Sequence, residues 1–326
     1  MIRAMRKDRN LFQGNLNKKN YFEGWYYKQV STDGKTAISF IPGISLHASD
    51  PHCFVQYIIV DETLENGIST GYVRFPVESF VWNDEPFAVK IEDNFFSESL
   101  VSVHLESVTD TISGNLKLGP LTPIESTVLN PTIMGPFAYI PKMECYHGVT
   151  SMNHYLDGSL EINGRIVAFS NGKGYIEKDW GTKFPKNYVW LQSNHFEEPD
   201  TSLFFSMAYI PFYVRDFLGF ISNIQLNGKE YRFATYNNSK IKLSLPSNDT
   251  ILVTMENSKA KVKIFGKAEH MGNLQAPVLS GMDKTIKEGV SGTIELELWD
   301  KENNTHYHGT GSMAGIEIVD AEDLVM

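Results

Sequence analysis

The chain has 326 residues, of which 42% are hydrophobic and 21% charged, a composition typical of globular rather than disordered proteins. Its formal net charge of -10 at pH 7 argues against general binding to nucleic acid or to anionic membranes, because both favour a basic surface. The length is sufficient for two ordinary domains with sizeable hydrophobic cores.

The N-terminus and the cysteines predict a cytoplasmic protein without stable membrane insertion. Residues 1–10 carry positive charge but no apolar run follows them, so we expect no signal peptide. The longest apolar segment, 203–214, is interrupted by Pro211 and is shorter than a membrane span. The two cysteines, Cys53 and Cys145, are expected to be free thiols in a reducing compartment.

Short segments of alternating apolar and polar side chains, with turn residues between them, run through the first half of the chain. They predict an all-β fold. Strands are expected at 21–30, 36–42, 54–60, 71–75, 87–92, 100–106, 111–118, 143–149, 154–162 and 165–170. The proline-rich segment 119–141 is expected to be an ordered connection or rim loop, with a domain linker as the alternative.

The first predicted strand places a carboxylate among aromatic side chains. Because side chains alternate between the faces of a strand, one face carries Tyr21, Glu23, Trp25 and Tyr27. Burial of Glu23 without a partner would raise its pKa and keep it protonated. Pairing with a lysine or arginine is the alternative, and the sequence leaves both open.

The segment 174–196 is predicted to form two strands joined by a loop in a hairpin-like unit. Tyr175, Glu177 and Asp179 share one face of the first strand. One face of the second strand carries Tyr188, Trp190, Gln192 and Asn194. Large aromatic rings mixed with carboxylates or amides on one face are typical of the wall of a ligand cavity. The alternative is a surface face that happens to hold aromatic residues.

The sequence predicts neither a cofactor nor a metal site. It contains no phosphate-binding loop, dinucleotide fingerprint or serine nucleophile turn. Cys145 and His147 share a strand face, and His154 and His195 follow, but their spacing matches no standard zinc motif. His147 and His154 are therefore expected to be hydrogen-bonded pocket or hairpin residues.

An acidic break at 197–200 is the predicted domain boundary, which gives an N-terminal domain at 1–198 and a C-terminal domain at 199–326. Strands are expected after it at 202–210, 212–221, 224–226, 229–236, 240–246, 250–257, 259–269, 292–299 and 309–319. About eight strands fit a small closed barrel that is wide enough for a ligand. The segment 271–289 breaks the pattern and is expected to be a rim loop or lid.

Two blocks of the sequence resemble the tocopherol cyclase-like family. The first is Tyr-Phe-Glu-Gly-Trp-Tyr-Tyr-Lys at 21–28. The second comprises Gly-Tyr-x-Glu-x-x-Trp-Gly, then Phe-Pro, then Trp-x-Gln-x-Asn-x-Phe at 174–196. The resemblance extends over most of the chain and weakens in the C-terminal third. It implies two lipocalin-like β-barrel or β-sandwich domains with a hydrophobic cavity at or near their interface.

The resemblance also implies ring closure on a prenylated aromatic alcohol, in which an alkene is protonated and the phenol oxygen captures the cation. Such chemistry needs a carboxylic acid in an apolar site and aromatic faces near the developing charge. The predicted catalytic residues are Asp179, Glu177 and Glu23. The predicted substrate-binding residues are Trp25, Tyr27, His147, Tyr175, Trp180, Tyr188, Trp190, Gln192 and Asn194.

The expected function is therefore that of a cofactor-independent, acid-catalysed cyclase, hydratase or isomerase acting on a hydrophobic prenyl or polyene compound. The first alternative is a lipocalin-like binder or carrier without catalysis. The second is a structural or interaction protein whose motif residues serve packing. The expected partner is a small hydrophobic molecule, and the sequence leaves the oligomeric state open.

Overall fold

The computed structural model of the protein describes residues 10–211 and 216–326. Within them, regular structure is almost entirely β, with short 3-10 turns and no α-helix, which confirms the predicted all-β class. None of the described helical turns has the length or apolar character required to span a bilayer. The expectation for the extreme N-terminus and the start of the strand predicted at 212–221 fall outside the described residues.

The first sheet is antiparallel and has twelve strands. They are β1 (Phe22–Val30), β2 (Thr36–Ser45), β3 (His52–Asp61), β4 (Ile68–Phe75), β5 (Phe80–Asp84), β6 (Phe87–Ile91), β7 (Asn94–Ser97), β8 (Leu100–Glu106), β9 (Thr111–Leu118), β10 (Cys145–Ile162), β11 (Arg165–Ala168) and β12 (Lys173–Gly181). Their order is β4-β3-β2-β1-β12-β10-β9-β8-β7-β6-β5, with β11 paired to β10. This order places β12 between β1 and β10, although β1 and β12 are far apart along the chain.

The second sheet has eleven strands. They are β13 (Tyr188–Ser193), β14 (His195–Phe196), β15 (Ser202–Ile210), β16 (Phe217–Leu226), β17 (Lys229–Ala234), β18 (Lys240–Ser247), β19 (Thr250–Glu256), β20 (Ala260–Lys267), β21 (Met271–Val278), β22 (Gly281–Asp300) and β23 (Thr305–Val319). The order is β17-β16-β15-β13-β23-β22-β20-β19-β18, with β14 paired to β23 and β21 to β22. The fold is that of curled antiparallel half-barrels, as in lipocalin-like proteins.

The described chain forms two compact units that interleave along the sequence. The first unit comprises the described part of Met1–Pro123 with Phe137–Phe184 and Gly272–Ile286, and the second comprises Ile124–Pro136, Pro185–Met271 and Lys287–Met326. This division differs in position from the boundary that the sequence predicts. Whether 1–198 and 199–326 fold as independent domains stays a prediction.

Each unit has its own hydrophobic core, because alternate side chains of its strands point to one face. The core of the first unit includes Trp25, Tyr27, Phe40, Tyr57, Phe96, Ile176 and Trp180. The core of the second includes Val189, Leu191, Phe205, Phe233, Ile264, Leu296 and Ile316. Each fully buried side chain of this size contributes about 1.5–3 kcal/mol to folding. In both units the opposite face of the central strands carries aromatic residues together with buried polar residues.

The predicted hairpin within 174–196 is wrong, although both of its strands are present. β12 pairs with β1 and β10, whereas β13 pairs with β15 and β23, so the two strands belong to different sheets. Gly181, Pro185 and Asn187 lie at the break between the two strands, which end and begin at Gly181 and Tyr188. Such residues signal a turn in the chain, but they do not specify which strands pair across it.

The loop or lid expected at 271–289 is also wrong. Residues 271–278 form β21 and residue 281 begins β22. The glycines and Pro277 within this segment disguise its strand character, since both residue types are depleted in strands.

The proline-rich connection 119–141 is ordered, as predicted. In the first unit, the Thr122 amide donates to the Asn153 carbonyl at 3.1 Å, and the Met152 amide donates to the Thr122 carbonyl at 2.8 Å. In the second unit, the Tyr236 hydroxyl donates to the Ile133 carbonyl at 2.9 Å. A 3-10 turn at Gly135–Tyr139 lies within this connection.

The two strands predicted at 143–149 and 154–162 are one irregular strand, β10. Its pairing with β12 shifts register between Val149 and Ser151 and again between Ser151 and His154. Such bulges bend a strand and change which face its side chains occupy. They divide β10 into a first half that pairs with β12 and a second half that pairs with β9.

Gly174→Ala is expected to lower the free energy of unfolding by about 1–3 kcal/mol, because the added methyl would overpack a buried site. A Cβ at this position would collide with His154 Nε2 and lie 2.6 Å from Gln29 Oε1. Both side chains are fully buried on the neighbouring strands. Urea denaturation measures the loss. The control is Gly24→Ala, where the nearest atom is 3.6 Å from the added carbon; an equal loss in both variants would contradict the packing argument.

Candidate functional site

The two faces of the central strands of the first unit differ in chemistry. In the register of β1 on β12, Trp25 lies opposite Lys178 and Tyr26 lies opposite Glu177. Residues that are directly opposite share a face, and neighbours along a strand alternate. Ile176 and Trp180 therefore face the core with Trp25 and Tyr27, whereas the other face presents Tyr26, Tyr175, Glu177 and Asp179. The predicted grouping of the last three residues is confirmed.

Three ionisable side chains meet on that second face. His147 of β10 lies opposite Asp179 of β12. The Nδ1 atom of His147 is 2.8 Å from Asp179 Oδ1, and its Nε2 atom is 3.5 Å from Glu177 Oε2. One imidazole thus bridges two carboxylates that are two residues apart on the same strand. We call His147, Glu177 and Asp179 the acidic triad.

Exposure increases along the acidic triad. The side chain of Glu177 is 6% exposed, that of His147 13% and that of Asp179 24%. Glu177 is therefore nearly closed off from solvent, whereas Asp179 is partly open to it. In such a partly buried setting, electrostatic interactions are stronger than on an open surface.

The charges of the triad determine the protonation of His147. Burial of the ring by itself lowers its pKa, but the negative charges of Asp179 and Glu177 and the hydrogen bonds to them outweigh this effect and raise the pKa to about 10. His147 therefore holds a proton at neutral pH. The triad therefore consists of a protonated imidazole with one carboxyl group beside each ring nitrogen.

Two further donors extend the triad. The Tyr175 hydroxyl donates to Glu177 Oε2 at 2.6 Å, and the Cys145 thiol donates to Asp179 Oδ1 at 3.7 Å. Burial, with a contribution from the neighbouring carboxylates, raises the pKa of Tyr175 and of Cys145 well above their usual values. Both groups therefore keep their protons and act as donors.

The triad also has a geometry that a metal ion could use. Ligand atoms of His147, Glu177 and Asp179 lie within 4.8 Å of one another. However, both ring nitrogens of His147 face carboxylates, an arrangement that suits a doubly protonated ring, whereas a metal ligand needs one nitrogen free of its proton. The absence of a metal stays a prediction.

Glu23, a predicted catalytic residue, lies on the core face in a buried ion pair. Its carboxylate contacts the ammonium group of Lys178, and the two side chains are 0% and 1% exposed. It also accepts hydrogen bonds from the amides of Gln13 and Gly14 and, at 2.5 Å, from the hydroxyl of Tyr21. Of the two interpretations that the sequence left open, the structure shows the ion pair.

The predicted substrate-binding residues Trp25, Tyr27 and Trp180 are on this same core face, so the structure does not group them with the triad. The ammonium of Lys178 lies 4.6 Å from the ring centroid of Trp25 and 4.9 Å from that of Trp180, which are cation–π distances. Tyr27 donates to the Ser97 carbonyl at 3.2 Å. These contacts indicate structural roles around the Glu23–Lys178 pair.

The other predicted substrate-binding residues belong to the second unit. Tyr188, Trp190 and Gln192 alternate with the core residues Val189 and Leu191 on β13, so they share the face that points away from the core of that unit. The ring of Trp190 covers Gly315, where no side chain would fit. The Asn194 amide oxygen is 2.9 Å from Nδ1 of His195. A cavity lined by these residues stays a prediction.

Sequence reasoning missed two buried carboxylates on this face. Glu317 of β23 lies opposite Trp190 and opposite Glu288 of β22. It accepts a hydrogen bond from the Tyr188 hydroxyl. The available signal was the position of these glutamates within strands β22 and β23. A carboxylate is rarely buried unless it has a partner, so a buried one would have indicated a specific contact.

Comparison with known proteins places the chain in a family. The tocopherol cyclase-like family model matches residues 120–319. The chain therefore belongs to the tocopherol cyclase-like family. The match includes the block at 174–196 and the C-terminal third, where the sequence-based resemblance was expected to weaken, and it begins after the block at 21–28.

Curated relatives are plant enzymes. The chain is 24% identical over 195 residues to a probable chloroplastic tocopherol cyclase of Oryza sativa subsp. japonica, and 24% identical over 197 residues to the chloroplastic tocopherol cyclase of Zea mays. Each match covers 56% of this chain and 41% of the relative. The chain thus aligns with about two fifths of the length of these relatives.

Solved structures share the fold. CghA in complex with Sch210972 superposes with a TM-score of 0.57 at 11% identity, covering 92% of this chain and 88% of CghA. Kievitone hydratase from Nectria haematococca superposes with a TM-score of 0.53 at 10% identity, covering 93% and 89%. At these identities the likeness shows the fold alone.

Lys178→Met is expected to lower the free energy of unfolding by about 3–5 kcal/mol, because it leaves the buried Glu23 carboxylate without its cation. Denaturant titration measures the change. The double variant Glu23→Gln/Lys178→Met removes both charges and should recover a large part of the loss. A single variant as stable as the wild type would show that the pair contributes nothing.

The stability of the protein should fall as the pH rises from about 6.5 to 10. His147 binds its proton more tightly in the folded state, so its contribution is complete below the unfolded pKa of about 6.5 and is lost as the pH rises through about 10. The slope for this group alone is at most about 1.4 kcal/mol per pH unit. Denaturation curves of the wild type and of His147→Gln, compared from pH 6 to 10, isolate it; parallel stability profiles would refute the assignment.

Proposed function

We propose that this protein is a cofactor-independent, proton-initiated cyclase or hydratase that acts on an alkene of a hydrophobic prenyl or polyene compound. The observation that carries the proposal is the acidic triad, in which a protonated His147 lies between Glu177 and Asp179 on a buried strand face. Membership in the tocopherol cyclase-like family supports it. The cyclase names of the curated relatives and the hydratase name of one structural neighbour are consistent with it.

The triad supplies the proton. A proton passes from the triad to one alkene carbon, where the π electron pair forms the new C–H bond and leaves a carbocation on the other carbon. A phenol oxygen, or water in a hydration, attacks the cation with a lone pair and forms the C–O bond. The proton of that oxygen returns to the triad. The sequence is balanced without an oxidant, reductant or other co-reactant, and it uses general acid–base catalysis throughout.

Within the triad, the imidazolium of His147 is the proposed source of the proton, Glu177 takes this proton from Nε2 and passes it to the alkene, and Asp179 holds Nδ1 of the ring. Glu177 is the more deeply buried carboxyl, and exclusion of water keeps a proton and a carbocation from being lost to solvent. Tyr175, hydrogen-bonded to Glu177, and Tyr26, which accepts a hydrogen bond from Ser39 at 2.9 Å, are the aromatic residues of this face. Aromatic rings stabilise a nearby cation.

Glu177→Gln is expected to lower turnover of a prenylated hydroquinone by at least about 100-fold, the usual contribution of a positioned general acid. Binding of the same compound, measured by calorimetry, should change little, because the amide has almost the same shape. His147→Gln and Asp179→Asn should also slow turnover. In D2O the wild-type product should carry one deuterium at the protonated carbon.

The matched control is Glu161→Gln, which alters an exposed carboxylate on β10 outside the triad and should leave turnover unchanged. Treatment with a chelator should also leave it unchanged, since no metal takes part. If the wild type binds the hydroquinone but yields no cyclised or hydrated product, the protein is a carrier and the proposal fails.

A further inference from the structure

The second unit holds a buried amide whose hydrogen-bonding groups find no acceptor or donor within the described residues. Asn223 of β16 is 0% exposed, and neither its Oδ1 nor its Nδ2 atom has a hydrogen-bond partner among residues 10–211 and 216–326. Leaving such groups unsatisfied lowers the stability of the folded state. Buried polar groups are otherwise almost always paired.

Arg232, the residue opposite Asn223, also has a buried polar atom without a hydrogen-bond partner among the described residues. Asn223 pairs with Arg232 of β17, so their side chains share a face and their Cβ atoms are about 5 Å apart. The Nη2 atom of Arg232 donates to Glu230 Oε1 at 2.5 Å and to the Glu125 carbonyl at 2.6 Å. Its Nε atom is buried and, within the part of the chain that the structure describes, has no acceptor.

This pair lies on the face of the second unit that carries Trp190 and Gln192. In the sheet, Gln192 is opposite Phe204, and Phe204 is opposite Asn223. The adjacent strand residues Leu203, Phe205, Ile224 and Phe233 belong to the hydrophobic core. The row Gln192–Phe204–Asn223–Arg232 is therefore directed away from that core.

We infer that Asn223 and Arg232 form a binding subsite for a neutral carboxamide or lactam group of a small-molecule ligand. The Asn223 amide offers one acceptor and one donor side by side, which matches the N–H and C=O of another amide. The Arg232 Nε–H offers a second donor to the same carbonyl. Glu230 balances the charge of Arg232, so the subsite favours a neutral group over an anion. Phe204 provides an aromatic surface beside it for the apolar part of the ligand.

This subsite is independent of the acidic triad, because it concerns recognition and not proton transfer. A buried polar group retained at a cost in stability is typical of a functional residue. Asn223→Leu, which has nearly the same shape, should therefore keep or raise the melting temperature. The matched control is Asn187→Leu, since the buried Asn187 amide does donate to the Asp320 carbonyl at 2.7 Å. That variant should lower the melting temperature.

Ligand recognition is tested with two probes, a geranylated 4-hydroxybenzamide and the corresponding methyl ester, which keeps the carbonyl but lacks the N–H. Calorimetry should show that the wild type binds the amide at least about tenfold more tightly, a modest value for a site built around a hydrogen bond. Asn223→Leu should bind the two equally. The same preference is expected in Glu177→Gln, so a failure of the proposed catalysis would leave this result unaffected.

Three outcomes would overturn the subsite. Asn223→Leu could lower the melting temperature as much as Asn187→Leu does, which would show that the Asn223 amide is satisfied inside the protein, for example by ordered water. The wild type could bind amide and ester equally. It could also bind neither probe.

Discussion

The pairing of β10 with β12 is the constraint on which the candidate site depends. In this antiparallel register His147 lies directly opposite Asp179, and the alternation of β12 places Glu177 on the same face. The imidazole can then contact both carboxylates at once. The protonated ring offsets the mutual repulsion of the two carboxylates. A one-residue change in the pairing of β10 would place Tyr146 or Gly148, rather than His147, opposite Asp179.

The all-β class and the face assignments follow from local alternation, and they could be predicted for this reason. Tyr175, Glu177 and Asp179 fall on one face because side chains alternate along any strand. The same rule placed Glu23 with Trp25 and Tyr27. Alternation does not predict which other strand a given strand pairs with. The structure shows that Glu23 faces Lys178, and that β12 and β13 belong to different sheets, because pairing is decided by contacts that are distant in sequence.

His147 illustrates the same limit within the candidate site. Its position next to Cys145 in an alternating segment indicated a pocket residue, but nothing local linked it to Glu177 and Asp179, about thirty residues later. The buried carboxylates Glu288 and Glu317, and the amide of Asn223, were missed for a related reason. Each lies in a segment whose apolar neighbours dominate the pattern, and burial of the polar residue depends on the opposite strand.

The two faces of the first sheet are thus stabilised by different physical means. On the core face, the buried cation Lys178 lies near two indole rings and against Glu23. On the other face, two carboxylates share a protonated imidazole. Buried charge is present on both, but it is closed and fully hydrogen-bonded on the core face and partly open to solvent at Asp179. This difference agrees with a structural role for the first group and a chemical role for the second.

The consecutive residues Glu177, Lys178 and Asp179 also have a consequence for folding. Opposite charges alternate along these three residues, so the two anions lie on one face of the strand and the cation on the other. If β12 slipped by a single position during assembly, it would insert two anions among the indole rings and remove the counterion of Glu23. A shifted pairing of β12 is therefore destabilised on both faces of the sheet at once. This short run of charges favours the native strand register as the chain folds.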